Sequence, residues 1–157
     1  MIGLLQRVDG ASVEVAGREI ARIGAGLVVL VGVERGDDEA SADRLLERLV
    51  NYRVFADIEG RMNLSVLDAG GGLLLVPQFT LAADTAKGQR PGFSRAAEPA
   101  EAERLFGLMA KRAEKRLPGA QMGRFGAHMR VSLVNDGPVT FWIRVPPRGA
   151  AEGIGVS

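Results

Sequence analysis

Two short segments hold most of the groups in this chain that could do chemistry. They are Pro77-Gln78-Phe79-Thr80-Leu81 and Asn135-Asp136-Gly137-Pro138-Val139-Thr140. Each is a polar break at the end of an apolar, strand-like run. Backbone N–H groups at a strand end, beside a fixed hydroxyl, can stabilise the oxyanion that forms when an acyl carbon becomes tetrahedral; one such donor is worth about 3 kcal/mol. The amides of Phe79 and Thr80, with the Thr80 hydroxyl, are the candidates. Residue type alone favours an ordinary strand threonine at position 80, and Gln78 can serve a ligand or satisfy a strand edge. Gly137-Pro138 joins an unusually free backbone to a fixed one, a corner that can show bare carbonyls to a ligand or simply turn a hairpin. Because only about 5% of X-Pro bonds in folded proteins are cis, sequence alone favours trans at Pro138.

Other chemistries lack parts. There is one histidine, His128, no cysteine, and no acidic cluster with metal-ligand spacing, so a zinc site and thiol catalysis are not expected. A Ser/His/Asp triad would have to recruit His128, and no serine sits in a Gly-x-Ser-x-Gly elbow. The glycine groups at 24–26 and 70–72 match neither a phosphate-binding loop nor a dinucleotide fingerprint. No cofactor is expected, and the reaction must be gentle or assisted by its own substrate.

The elements that position these segments are legible as periodicities. At 157 residues and 46% apolar content the chain suits one domain with a substantial core, here drawn over 1–145, with a small, flexible tail over 146–157. Apolar residues alternate through Ile2, Leu4 and Val8, with Asp9-Gly10 read as a turn, and again through Val13 and Val15 before Ala16-Gly17 reverses the chain. Leu27 to Val33 is continuously apolar, as in a central strand covered on both faces, and Gly32 within it lets something approach closely. Ala42, Leu45, Leu46 and Leu49 recur at helical spacing behind a cap at Asp37 or Asp38. Pro99 opens a second helix through Leu105, Phe106 and Met109 that stops at Pro118-Gly119. Leu73 to Val76 is a buried strand ending at the Pro77 segment. Met129–Val134 and Val139–Val145 read as two strands flanking the Gly-Pro corner. The expected fold is α+β, a curled, mainly antiparallel sheet carrying two packed helices.

Residues 82–99 lack apolar periodicity and carry Lys87, Arg90 and Arg95, a long basic loop of the kind that usually has a task. A net charge of +1 argues against a protein held on nucleic acid mainly by phosphates, so any RNA contact is local. The N-terminus has no signal-peptide pattern and no apolar run is long enough to span a bilayer, so a cytoplasmic, soluble protein without membrane attachment is expected.

The two motifs, in this order and at this separation, resemble the D-aminoacyl-tRNA deacylases. Leu5-Gln6-Arg7-Val8, Met62-Asn63-Leu64-Ser65-Val66, Lys87-Gly88-Gln89-Arg90-Pro91 and Gly123-Arg124-Phe125-Gly126-Ala127 add to the likeness, which covers nearly the whole chain up to about Val145. The resemblance implies a barrel-like closure of the sheet and a metal-free hydrolase that cuts the ester between a D-amino acid and tRNA in chiral proofreading. The substrate part recognised would be the 3′-terminal aminoacyl-adenosine. It implies Thr80, Gln78 and Phe79 at the ester, Pro77 beside them, and Phe125 lining the adenosine pocket. It also implies a cis Gly137-Pro138 corner, held by Arg7, that enters the site of the other subunit of a homodimer and excludes L side chains by clash. Glycine, with nothing to reject, would leak through. Lys87, Arg90, Arg95 and Arg124 would meet the tRNA phosphates. Taken alone, Arg7 also suits a surface strand charge, and Phe125 suits the core.

One residue departs from the pattern: most of these deacylases carry serine where this chain has Pro77, and a relative that clears L-alanine from the wrong tRNA also begins the motif with proline. A relaxed-specificity sibling is therefore one alternative reading, although Phe79 keeps the D-specific form. A non-catalytic tRNA-binding module is another, and an interaction protein whose Gly-Pro corner is only a turn is a third.

Overall fold

A computed structural model describes residues 1–147 and 149. Strand β1 (Ile2–Val15) organises the sheet. Along one edge its first half pairs antiparallel with β3 (Gly26–Gly32) and its second half with β2 (Arg18–Ile23); along the other it pairs with β8 (Met129–Arg144) almost from end to end. β3 continues in parallel to β6 (Gly72–Pro77), and β6 in parallel to β7 (Gln121–Met122). The expected sheet is thus mainly antiparallel with a parallel edge. Ala21 and Ile23 of β2 pack against Leu74 and Val76 of β6, which curls the sheet into a nearly closed barrel.

The continuous apolar runs follow from burial on both faces. Val28, Leu74 and Val76 point into the barrel with Val8 and Val13, while Leu27, Val29, Leu73 and Leu75 face the helices. Each fully buried side chain of this size contributes about 1.5–3 kcal/mol. Helix α1 (Glu39–Asn51) buries Leu45, Leu46 and Leu49 against that outer face, and Asp38 caps it by accepting from the Ser41 N–H at 2.8 Å. The four-residue α2 (Val66–Ala69) has a reciprocal cap between Ser65 and Asp68. Helix α3 (Pro99–Arg116) starts on its proline and buries Leu105, Phe106 and Met109. A small hairpin, β4 (Phe55–Ala56) and β5 (Met62–Leu64), stands apart from the main sheet.

One expected turn is not a turn, and one expected break between strands is not a break. Asp9-Gly10 lies inside β1, where the register shifts from Val8↔Asn135 to Gly10↔Val134, so Asp9 is a bulge. The two strands expected around Gly137-Pro138 are one strand, β8, because both halves pair with β1: Val134 with Gly10 and Thr140 with Gln6. The chain does not reverse at the corner; it steps out of the ladder and returns. Both readings failed for one reason: each strand is held straight by the other, a pairing far apart in sequence.

Pro146 is tied down, since Arg44 Nη2 donates to its carbonyl at 2.8 Å. Apart from Pro146, Pro147 and Gly149, the expected tail lies outside the described residues. Among the described residues, no helix is long and apolar enough to cross a membrane.

Candidate functional site

β6 ends at Pro77, and the chain turns at once into a short 3₁₀ helix, Phe79–Ala82. The turn is fixed at both ends. Gln78 N–H donates to Val31 O at 2.8 Å, and Leu81 N–H donates to Gln78 O at 3.2 Å. The same turn is what approaches Gly32: a Cβ there would stand 2.9 Å from Leu81 Cβ. A helical turn leaves its first N–H groups without intrahelical partners, and those of Phe79 and Thr80 meet no acceptor among the described residues. Gln78 Nε2 donates to Thr80 Oγ1, occupying the acceptor side of the hydroxyl and leaving its proton to point elsewhere.

Pro77, Gln78 and Phe79 line a cleft of about 470 Å³ that Phe125, His128 and Met129 also bound, with Ala102 of α3 at its wall; Thr80 follows one residue beyond and is not part of the lining. Phe125 both lines this cleft and packs on the core, so its two sequence readings are compatible. Gly123 N–H donates to Leu75 O at 2.8 Å, extending the sheet by one rung and setting the segment that carries Phe125 across from the 3₁₀ turn.

The corner is a second constellation, and none of Arg7, Gly137 and Pro138 lines the cleft of its own chain. The Gly137-Pro138 bond is cis, and Gly137 has φ +132°, a conformation that L side chains rarely adopt. Both residues are exposed. Arg7 braces them from beneath: its Nη1 donates to Val54 O at 2.6 Å. Its Nε lies 2.9 Å from Asp136 Oδ2 as an ion pair, though the N–H is not aligned for a hydrogen bond. Asn135 Nδ2 donates to both Arg7 O and Val139 O at 2.9 Å, closing the base of the loop. Sequence reasoning gave no role to Asn135 or Asp136, although the motif held both.

Lys87 and Arg90 are exposed and make no ion pair among the described residues, whereas Arg95 lies 3.8 Å from Asp84. The long loop is pinned, since Asp84 and Gly92 exchange backbone hydrogen bonds at 2.7 and 3.0 Å. Arg124 is exposed beside the cleft, its N–H on Met129 Sδ at 3.3 Å. Among the described residues no group of three His, Cys, Asp or Glu side chains is placed to hold a metal ion.

A family model described as D-Tyr-tRNA(Tyr) deacylase matches residues 4–144. A D-aminoacyl-tRNA deacylase of Nitrosococcus oceani is 60% identical over 147 residues, covering 94% of this chain and 95% of that protein. The Escherichia coli protein of the same name is 57% identical over 145 residues, 92% of this chain and 100% of its own length. Among solved structures, a protein described as c-Myc DNA Unwinding Element Binding Protein superposes with TM-score 0.89 at 36% identity, covering 93% of this chain and 99% of its own. A probable eukaryotic D-amino acid tRNA deacylase superposes with TM-score 0.75 at 16% identity, covering 90% and 98%, a likeness of fold alone.

Proposed function

This chain belongs to the D-Tyr-tRNA(Tyr) deacylase family, and from that premise we propose that it hydrolyses the ester of D-aminoacyl-tRNA, releasing the free D-amino acid and tRNA as chiral proofreading in the cytoplasm. The observation that carries the mechanism is the pair of N–H groups without acceptors among the described residues, that of Phe79 on the cleft lining and that of Thr80 next to it, beside a hydroxyl whose acceptor side Gln78 already fills. An ester carbonyl seated there meets three donors as its oxygen gains charge. Water adds its oxygen to the carbonyl carbon and gives up one proton; the tetrahedral species collapses, the carbon–ribose oxygen bond breaks, and the ribose oxygen takes up that proton. The ester is already an activated acyl group, so electrostatic positioning supplies most of what is needed. Phe125 and Pro77 bound the adenosine side, and Lys87, Arg90, Arg95 and Arg124 meet phosphates of the acceptor end.

Chirality is read by the corner of a second copy. Gly137 and Pro138 are exposed, rigidly braced and outside their own cleft, and a backbone wall where an L side chain would project rejects it whatever its chemistry. Among the described residues β8 pairs as a strand only with β1, and it exposes Val134 and Trp142 at 61% and 58%. An open strand edge of this kind suits a contact between copies. Glycyl-tRNA, with no side chain to exclude, is a substrate on this reading.

The test is hydrolysis of D-tyrosyl-tRNA beside L-tyrosyl-tRNA and glycyl-tRNA with chelator present. Loss of the D and glycyl esters alone supports the proposal, and saturable binding with no cleavage would overturn it in favour of a tRNA-binding module. Preference for L-alanyl-tRNA would favour the relaxed-specificity sibling, the reading that Pro77 supports by removing a hydroxyl and an N–H from the rim.

A further inference from the structure

Phe79 and Phe93 meet in the open. Their ring centroids are 5.2 Å apart at 47°, yet the residues remain 58% and 42% exposed. The core has no claim on either ring, and two contacting phenyl groups left in water ask for a flat apolar partner. Their placement is built. Phe79 is fixed by the 3₁₀ turn, and Phe93 follows directly on the Asp84–Gly92 backbone pair, with Ala96 bridged to Glu34 just beyond it. The loop that presents Phe93 also presents Lys87 and Arg90, exposed and without ion-pair partners among the described residues. Exposed aromatic rings beside free cations are how proteins hold single-stranded nucleic acid, because every base has a face to stack and every linkage a charge to meet.

We propose that Phe93, with Phe79, forms a stacking platform for the nucleobase that precedes the terminal adenosine, with Lys87 and Arg90 at its phosphates. The inference rests on the deacylase reading above and adds to it a nucleotide subsite that begins at Phe79 on the cleft lining and extends to Phe93 beyond it. Stacking does not depend on base identity, so the platform strengthens binding of any substrate with a base at that place and adds nothing for an isolated adenosine ester.

The experiment compares two substrates, D-tyrosyl-tRNA and the D-tyrosyl ester of adenosine alone, for the wild type, Phe93→Ala and Phe93→Trp. For Phe93→Ala the ratio of kcat/KM for the tRNA over that for the adenosine ester should fall about tenfold, carried mainly by KM, in keeping with the usual strength of base–aromatic stacking. Phe93→Trp should restore it. An unchanged ratio overturns the platform. So does an equal fall on both substrates, which would make Phe93 a prop for the Phe79 turn, or a loss of self-association by sedimentation, which would give the rings to a second copy of the chain. A wild-type protein that cleaves neither ester overturns the deacylase reading itself, a result separate from a wild type that cleaves both while the variant's ratio stays put.

Discussion

Gly32 and Leu81 approach so closely that a Cβ on the glycine would stand 2.9 Å from the leucine Cβ, with Gln78 O at 3.2 Å. The glycine ends β3 and the leucine belongs to the turn that carries the Phe79 and Thr80 amides, so the contact sets where the donors sit. Neither contact is with the end of a flexible side chain, and Gly32→Ala therefore pushes the turn outward. Because a misplacement of about 1 Å can cost about 100-fold in rate, kcat for D-tyrosyl-tRNA should fall by that order. The melting temperature should change far less, since β3 keeps its partners on both edges. A variant that keeps full turnover would show that the turn tolerates the shift.

That contact was half legible in the sequence. A glycine inside the apolar run Leu27–Val33 announces close approach, but nothing local says what approaches. The same division holds elsewhere. The spacing of Leu45, Leu46 and Leu49 and the proline at 99 write α1 and α3 into their own segments, because helical hydrogen bonds and caps are local. Strand pairing is not local: the β1–β8 ladder that turns Asp9 into a bulge and carries β8 straight through Gly137 joins residues more than a hundred positions apart. Of the candidate site, the motif residues are singled out by the family resemblance, since residue type alone leaves Thr80 an ordinary strand threonine and favours trans at Pro138. The bracing by Asn135, Asp136 and Val54 O, and the meeting of Phe79 with Phe93, depend on that long-range register and were not legible.

Thr80→Ala removes the hydroxyl that Gln78 orients and keeps the backbone N–H. On the proposed reading this hydroxyl is one oxyanion donor, whose loss costs about 3 kcal/mol in the transition state, about 100-fold in kcat, so single-turnover hydrolysis of D-tyrosyl-tRNA should slow by that order while KM moves little. Thr80→Ser, which retains the hydroxyl, should recover most of the rate. Unchanged turnover in the alanine variant would leave the role to the two amides alone.

Asp37 links pH to stability. It is 7% exposed; its Oδ1 accepts from the Met1 amine at 2.6 Å and its Oδ2 from the Glu34 N–H at 2.7 Å. Burial pushes its carboxyl above the ordinary carboxylate value, opposed by those two donors. A raised folded value means the native state holds this proton more tightly than the unfolded chain. The group therefore favours folding most below about pH 4, the unfolded value, and that contribution is lost as pH rises through the folded value. Asp37→Asn does not titrate. In urea unfolding, the stability gap between wild type and variant should be widest near pH 4 and narrow towards neutrality; a gap that widens with rising pH would contradict the assignment.

The corner offers the sharpest test of how chirality is read. A Cβ on Gly137 would stand 2.6 Å from Val139 Cγ2, 3.0 Å from Val139 N and 3.3 Å from Arg7 Nη2, at a φ of +132°. The valine rotamer can give way, but the backbone nitrogen cannot, so Gly137→Ala must move the corner off its brace. β8 keeps its ladder on either side, and the fold should survive by circular dichroism. Asn135→Ala acts more gently, removing the two hydrogen bonds to Arg7 O and Val139 O that close the loop, each worth about 1 kcal/mol net. On the proposed reading both variants lose preference for D-tyrosyl- over L-tyrosyl-tRNA, Gly137→Ala by about 100-fold and Asn135→Ala by about tenfold, since a wall that moves no longer clashes where an L side chain projects. The decisive measurement is the ratio of the two hydrolysis rates rather than either rate alone. A folded Gly137→Ala protein that slows on both esters equally would show that the corner supports the catalytic geometry without reading the hand of the substrate.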